Sequence, residues 1–168
     1  MSAFFQWLED LPLSMSIAGS DELYGFALVL VLHTIGIALT AGPAAVMSLR
    51  LLGVGRPLPL ASLRTLFTFF WIGFVGNAIT GSLLFMMAAT RTGYNPMYYA
   101  KLVCVLLGVI MLRRVQRVIE HDSVPDDRRG FADLARSALP PTVMVAAVLC
   151  LVFWAGVITT GRLIAYTK

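Results

Sequence analysis

Residues 23–48 read LYGFALVLVLHTIGIALTAGPAAVMS and contain no Asp, Glu, Lys or Arg. A helix crossing a hydrocarbon layer of about 30 Å needs roughly 17 to 25 such residues, so this stretch is long enough to span a bilayer. Three further segments, 66–90, 96–112 and 142–164, have the same character. Over all 168 residues 58% are hydrophobic and 13% charged, against about 25% charged in an ordinary soluble domain. With a mean hydropathy of +0.82, a globule of this size cannot bury its apolar residues, and lipid is the solvent they imply. The expected fold is all-α: an integral membrane antiparallel four-helix bundle forming one domain, 1–168.

Local signals support these boundaries. Gly42-Pro43 lies near the end of the first span, where proline removes a backbone donor and a kink is expected. Asn95-Pro96 opens the third span with a capping side chain followed by proline at the first helical position, and Pro140-Pro141 precedes the fourth. The start, MSAFFQWLEDLPLSMS, has no basic residue and carries Glu9 and Asp10, unlike a secretory signal. Its Ala3, Phe4, Trp7, Leu8 and Leu11 recur at helical spacing, which predicts a short amphipathic helix lying on the membrane surface.

Of the 13 basic residues, Arg50, Arg56 and Arg64 fall in the first connection and Arg113, Arg114, Arg117, Arg128, Arg129 and Arg136 in the third. The positive-inside rule therefore places both connections in the cytoplasm and both termini outside, in the periplasm of a bacterial inner membrane. Every tyrosine, Tyr24, Tyr94, Tyr98, Tyr99 and Tyr166, falls at the opposite ends of the spans, where amphipathic rings collect. The connection 120–140 alone has soluble composition; a turn at Ser123-Val124-Pro125 and a surface helix through Phe131, Leu134 and Leu139 are expected there. A net charge of +4 thus reports orientation and headgroup contact, and no nucleic-acid partner is read from it. The expected partners are the lipid bilayer and other membrane subunits.

Helices in lipid mark their contacts with small residues. Gly36, Thr40 and Ala44 form such a stripe in the first span, Gly73, Asn77 and Gly81 in the second, Ala100, Cys104 and Gly108 in the third, and Gly156 and Thr160 in the fourth. Cys104 and Cys150 form no CxxC motif and read as packing residues at different depths.

Chemistry-bearing residues are few. His33 lies some 15 Å into the first span and, by its spacing to Gly36 and Thr40, faces the bundle interior. An ionisable group at that depth is costly and is a functional candidate by default. Its functional reading is a neutral imidazole ligating a metal, such as the iron of heme b, or passing a proton; its other reading is a hydrogen bond to a neighbouring helix. His121 lies too far in depth to share an iron with it, and Met86, Met87 and Met111 are the remaining candidate axial ligands. Lys101, about 7 Å inside the third span, either pairs with a heme propionate or another anionic group or snorkels to headgroups. Asn77 is a candidate for holding a cofactor or for interhelical hydrogen bonding. No catalytic serine arrangement, phosphate loop or zinc spacing occurs, and no acidic residue lies within a span, which disfavours a carboxylate-based proton-coupled transporter.

Leu32-His33 with Gly36, the Arg50-Leu51-Leu52-Gly53 exit, Gly81 with Leu84 and Phe85, and Asn95-Pro96 with Lys101-Leu102 resemble a small uncharacterised family of four-helix bacterial inner-membrane proteins. The likeness covers 23 to about 120 and is more distant to the copper-resistance D proteins and the heme-dependent bacterial protoporphyrinogen oxidase. It implies functional roles for His33 and Lys101; the tryptophans and later histidine of that oxidase have no counterpart here. Two functions are expected from these readings: a redox subunit binding heme b for electron transfer, or a cofactor-free accessory or anchor subunit of a membrane complex. Copper handling, the third, lacks a spaced methionine or histidine cluster.

Overall fold

The computed structural model describes residues 2–19, 25–54, 60–121 and 141–166. Seven helices follow one another: α1 (Ser2–Glu9), α2 (Pro12–Ala18), α3 (Phe26–Leu51), α4 (Leu60–Met87), α5 (Ala89–Thr92), α6 (Pro96–His121) and α7 (Pro141–Leu163). Four of them, α3, α4, α6 and α7, are long and apolar enough to cross a membrane, and no strand occurs among the described residues. The chain is a multi-pass membrane protein built as a helical bundle. Tyr24 and nearly all of the 120–140 connection lie outside the described residues.

The long helices start and stop for local reasons. Asn95 Oδ1 accepts a hydrogen bond from Met97 N at 2.9 Å, the expected cap, with Pro96 in the first helical position of α6. At the end of α3, Gly53 takes φ 93°, while Val54 N reaches Leu49 O at 2.9 Å and Gly53 N reaches Arg50 O at 3.2 Å. That pair of bonds satisfies the last carbonyls of the helix and needs a residue comfortable in the left-handed region. Between them α3 runs through Pro43 as one helix. A break at Ala88, with φ −139°, ends α4 three residues before the expected boundary and starts α5.

Two boundaries differ more. α4 begins at Leu60, six residues early, and α6 continues to His121 instead of stopping before Arg113. Arginine is a good helix former, so a cationic pair ends the apolar stretch without ending the helix, and the Arg113 guanidinium lies 4.2 Å from the centroid of the Trp71 ring.

The small-residue stripes are the contacts between antiparallel pairs. A Cβ on Gly36 would meet Asn77 at 3.1 Å, and one on Gly73 would meet the Leu39 Cβ at 2.6 Å, so α3 and α4 touch almost backbone to backbone. In the other pair, a Cβ on Gly156 would lie 3.0 Å from Cys104 Sγ, and one on Gly108 would lie 3.3 Å from Trp154 Nε1. α3 and α7 join the pairs, whereas α4 and α6 meet only lightly. The spans therefore run in the order α4–α3–α7–α6, with a seam between the first and last.

Core and cavity occupy opposite halves. The sealed core, including Met47, Leu63, Phe70, Leu112, Val115 and Cys150, lies in the half near the arginine-bearing ends of α3, α4 and α6. Toward the tyrosine-bearing end the helices part. There the N-terminal region forms two short helices, and α1 packs on α5 and α4 through a residue outside the expected apolar stripe. Phe5 is the buried side chain, edge-on to Phe85 and Tyr94, while Phe4 and Trp7 remain exposed. Glu9 Oε1 accepts a bond from Thr90 N at 2.7 Å, fastening α1 to the first turn of α5.

Candidate functional site

His33 and Lys101 are 68 residues apart in sequence, and the fold brings Lys101 Nζ to 3.4 Å from His33 Nε2. The helix pairing explains how. Antiparallel packing of α3 on α4 sets His33 beside Gly81, where a Cβ would lie 3.0 Å from the ring Cε1. On α7, a Cβ on Gly161 would be 3.8 Å from Lys101 Nζ, so that glycine leaves a passage for the lysine stem. Both small residues clear space for a side chain of a neighbouring helix.

The imidazole is buried, and its other nitrogen is held as well. Nδ1 lies 3.0 Å from Thr80 Oγ1, and that oxygen lies 2.8 Å from the Gly76 carbonyl, one turn back in α4. A hydroxyl has one proton to donate, and the carbonyl can only accept it. Lys101 has donors only, so an Nε2 that bonds it must accept, and this assigns the ring proton to Nδ1, toward Thr80. The resulting chain runs Lys101 to His33 to Thr80 to Gly76, each group donating to the next, and ties α6, α3 and α4 together.

His33 and Lys101 line a cavity of about 350 Å³, within the ordinary range for small-molecule sites. Phe26, Leu30, Leu84 and Phe85 supply apolar surface; Arg91, Thr92, Asn95 and Tyr98 make the end near α5 polar. Tyr98 stacks on Phe85 at 5.0 Å, and Phe5 of α1 lies edge-on to the same Phe85, so the N-terminal helix packs behind one side chain of the cavity wall. The space is an amphipathic one: apolar sides, two cations, and one imidazole nitrogen at its inner end.

Not every candidate gathers there. Asn77 does not line the cavity; it sits one turn away against Gly36, with Oδ1 buried and without a hydrogen-bond partner among the described residues. His121 ends α6, some 30 Å along the axis from Lys101. Met86, Met87 and Met111 are absent from the cavity lining, and Met111 packs on the core. Among the described residues no three His, Cys, Asp or Glu side chains converge, so His33 stands as a single metal donor.

Thr80 and Arg91 escaped the sequence reading. Thr80 shares a helix face with Asn77 and Gly81, which was the available signal, but a threonine in an apolar helix ordinarily bonds its own backbone and Thr80 does that too. Arg91 belongs to the cations at the tyrosine end, and only the α5 break turns its position toward the cavity.

The donor set suits heme in three respects. One imidazole nitrogen faces Lys101 at the cavity, the ring is held from behind by Thr80, and Lys101 and Arg91 line the same cavity as cations. Comparison of the chain with protein-family models, with curated proteins and with solved structures returned no match.

Proposed function

We propose that this protein is a small inner-membrane redox subunit that binds heme b through His33 Nε2 and serves electron transfer within a larger assembly. The observation that carries the reading is the orientation of the imidazole, with Nδ1–H committed to Thr80 and the Nε2 lone pair turned toward Lys101 beside the cavity. His33 would be the residue that holds the iron, while Lys101 would leave Nε2 and, with Arg91, receive the heme's carboxylates. Bound heme would supply one-electron chemistry. The chain's own residues would hold the ring in place, neutralise carboxylates and keep bulk water from the apolar walls. Asn77 would act at a distance, holding α4 against α3 beside the turn that carries Thr80. In this proposal both termini face the periplasm, following the distribution of arginines, and the cavity opens toward that side.

One observation favours the second reading, a cofactor-free accessory or anchor subunit: Thr80 and Lys101 already occupy both ring nitrogens, as they would in a purely structural tie. A reduced-minus-oxidised absorption spectrum of detergent-purified protein, prepared with ample heme supply, separates the two. A heme b band that disappears in His33→Ala supports the redox subunit. Absence of the band from the wild type leaves the anchor.

A further inference from the structure

At the arginine end, the seam between α4 and α6 holds a second cavity, of about 460 Å³, lined by Arg64, Phe67, Thr68, Trp71 and Gln116. It is separate from the histidine cavity and shares no lining residue with it. Arg113 borders it, its guanidinium lying 4.2 Å from the Trp71 ring centroid. Arg64 is the second residue of the membrane-length stretch of α4, and Arg113 lies four residues before the end of that of α6, so both cations belong to the arginine-bearing end of the bundle. Trp71 lies about 10 Å deeper along α4 at 1.5 Å per residue. Phe67 is buried and closes the floor against the core. The cavity thus has Arg64 at its rim and, below it, Trp71 with the Arg113 guanidinium against the ring.

Its surroundings say what kind of anion fits. On α4, Ile72, Val75 and Ile79 continue at helical spacing from Arg64 and Thr68 and are exposed; on α6, Ile110, Leu106 and Val103 continue from Arg113 and are exposed too. α4 and α6 meet at few points, among them Arg113 on Trp71 and Tyr98 on Phe85, and these exposed apolar rows flank the seam on its lipid side. A free phosphate would use the rim alone. A ligand with an anionic head and an acyl tail would use both.

We propose that the seam is a binding site for an anionic phospholipid, whose phosphodiester sits between Arg64 and Arg113 and whose acyl chain lies between α4 and α6. Arginine matches phosphate oxygens with paired donors, and basic pockets between membrane helices recognise acidic headgroups. The lipid fills the opening where α4 and α6 meet only lightly and so becomes part of the bundle's packing.

Thermal unfolding of the delipidated, detergent-solubilised full chain tests this, with phosphatidylglycerol, phosphatidylcholine of the same chains and inorganic phosphate added separately. Phosphatidylglycerol should raise the midpoint at concentrations at least about tenfold below phosphatidylcholine, and inorganic phosphate should leave it unmoved; a tenfold preference corresponds to about 1.4 kcal/mol. The pair Arg64→Gln with Arg113→Gln should remove the preference. Arg114→Gln, about 100° around the helix from Arg113, should keep it. Equal responses to the two lipids, equal loss in Arg114→Gln, or a phosphate response matching that of phosphatidylglycerol would overturn the site. Should the double variant fail to fold, quenching of tryptophan fluorescence by phosphatidylglycerol with brominated chains decides. It should fall sharply in Trp71→Phe, and unchanged quenching counts against the proposal.

Discussion

With the donor-only Lys101 at Nε2, His33 turns its Nδ1–H to Thr80, whose own hydroxyl proton has the Gly76 carbonyl within 2.8 Å. Thr80→Val keeps the shape and removes the acceptor. Loss of such an outer partner typically costs 10- to 100-fold in metal affinity, so heme occupancy measured by titration should fall by about that factor while insertion is unaffected. Gly81 is the other control point. With a Cβ already at 3.0 Å from Cε1, Gly81→Leu would drive the ring from its place and should lower heme binding at least as much as Thr80→Val does. His33, Lys101 and their depth were legible from the sequence, since an ionisable group inside an apolar span must find an interior partner. Thr80 was not, because its backbone bond gives it a sufficient local explanation and nothing in one sequence reveals a second bond.

At the scale of helices, the stripes of small residues make unequal contacts, and substitution should sort them. Gly73→Ala places a Cβ at 2.6 Å from the Leu39 Cβ and 2.9 Å from the Leu39 carbonyl carbon, so α3 and α4 must separate. A cost of about 1–3 kcal/mol is expected, as for other overpacked interiors. Gly42→Ala meets nothing within 4 Å and should be neutral or stabilising by up to about 1 kcal/mol, since alanine is the better helix former. Denaturant unfolding of the two variants in detergent measures both; equal effects would mean that the α3–α4 contact is not where the stripe puts it. The four spans and the Asn95 cap were readable because length, apolarity and capping chemistry are local. The extent of α6 was not, since Arg113 ends an apolar stretch but finds Trp71 on another helix. The face of α1 was also hidden: in eight residues Phe4 and Trp7 form as plausible a stripe as Phe5, and only the α5 platform, with Glu9 held by Thr90 N, selects Phe5.

For the whole molecule, the packed core lies in the arginine half, and the cavity that reaches His33 lies in the tyrosine half. With both termini on the periplasmic side, as proposed, single cysteines at 3 and 168 should react with an impermeant thiol reagent applied from outside, and one at 126 should not. The reverse pattern would invert the orientation. The order α4–α3–α7–α6 could not be read from composition, since every span carries a small-residue stripe and stripes do not name their partners. It is this order that leaves a seam with a cavity at each end. The central claim is that the tyrosine-end cavity holds heme b on His33, and the most direct measurement is the reduced-minus-oxidised spectrum of wild type beside His33→Ala. Wild type should show a heme b band and the variant should lose it, with the bundle still inserted at a stability cost on the order of 1 kcal/mol. A band unaltered by His33→Ala, or no band in wild-type protein supplied with heme, would contradict it.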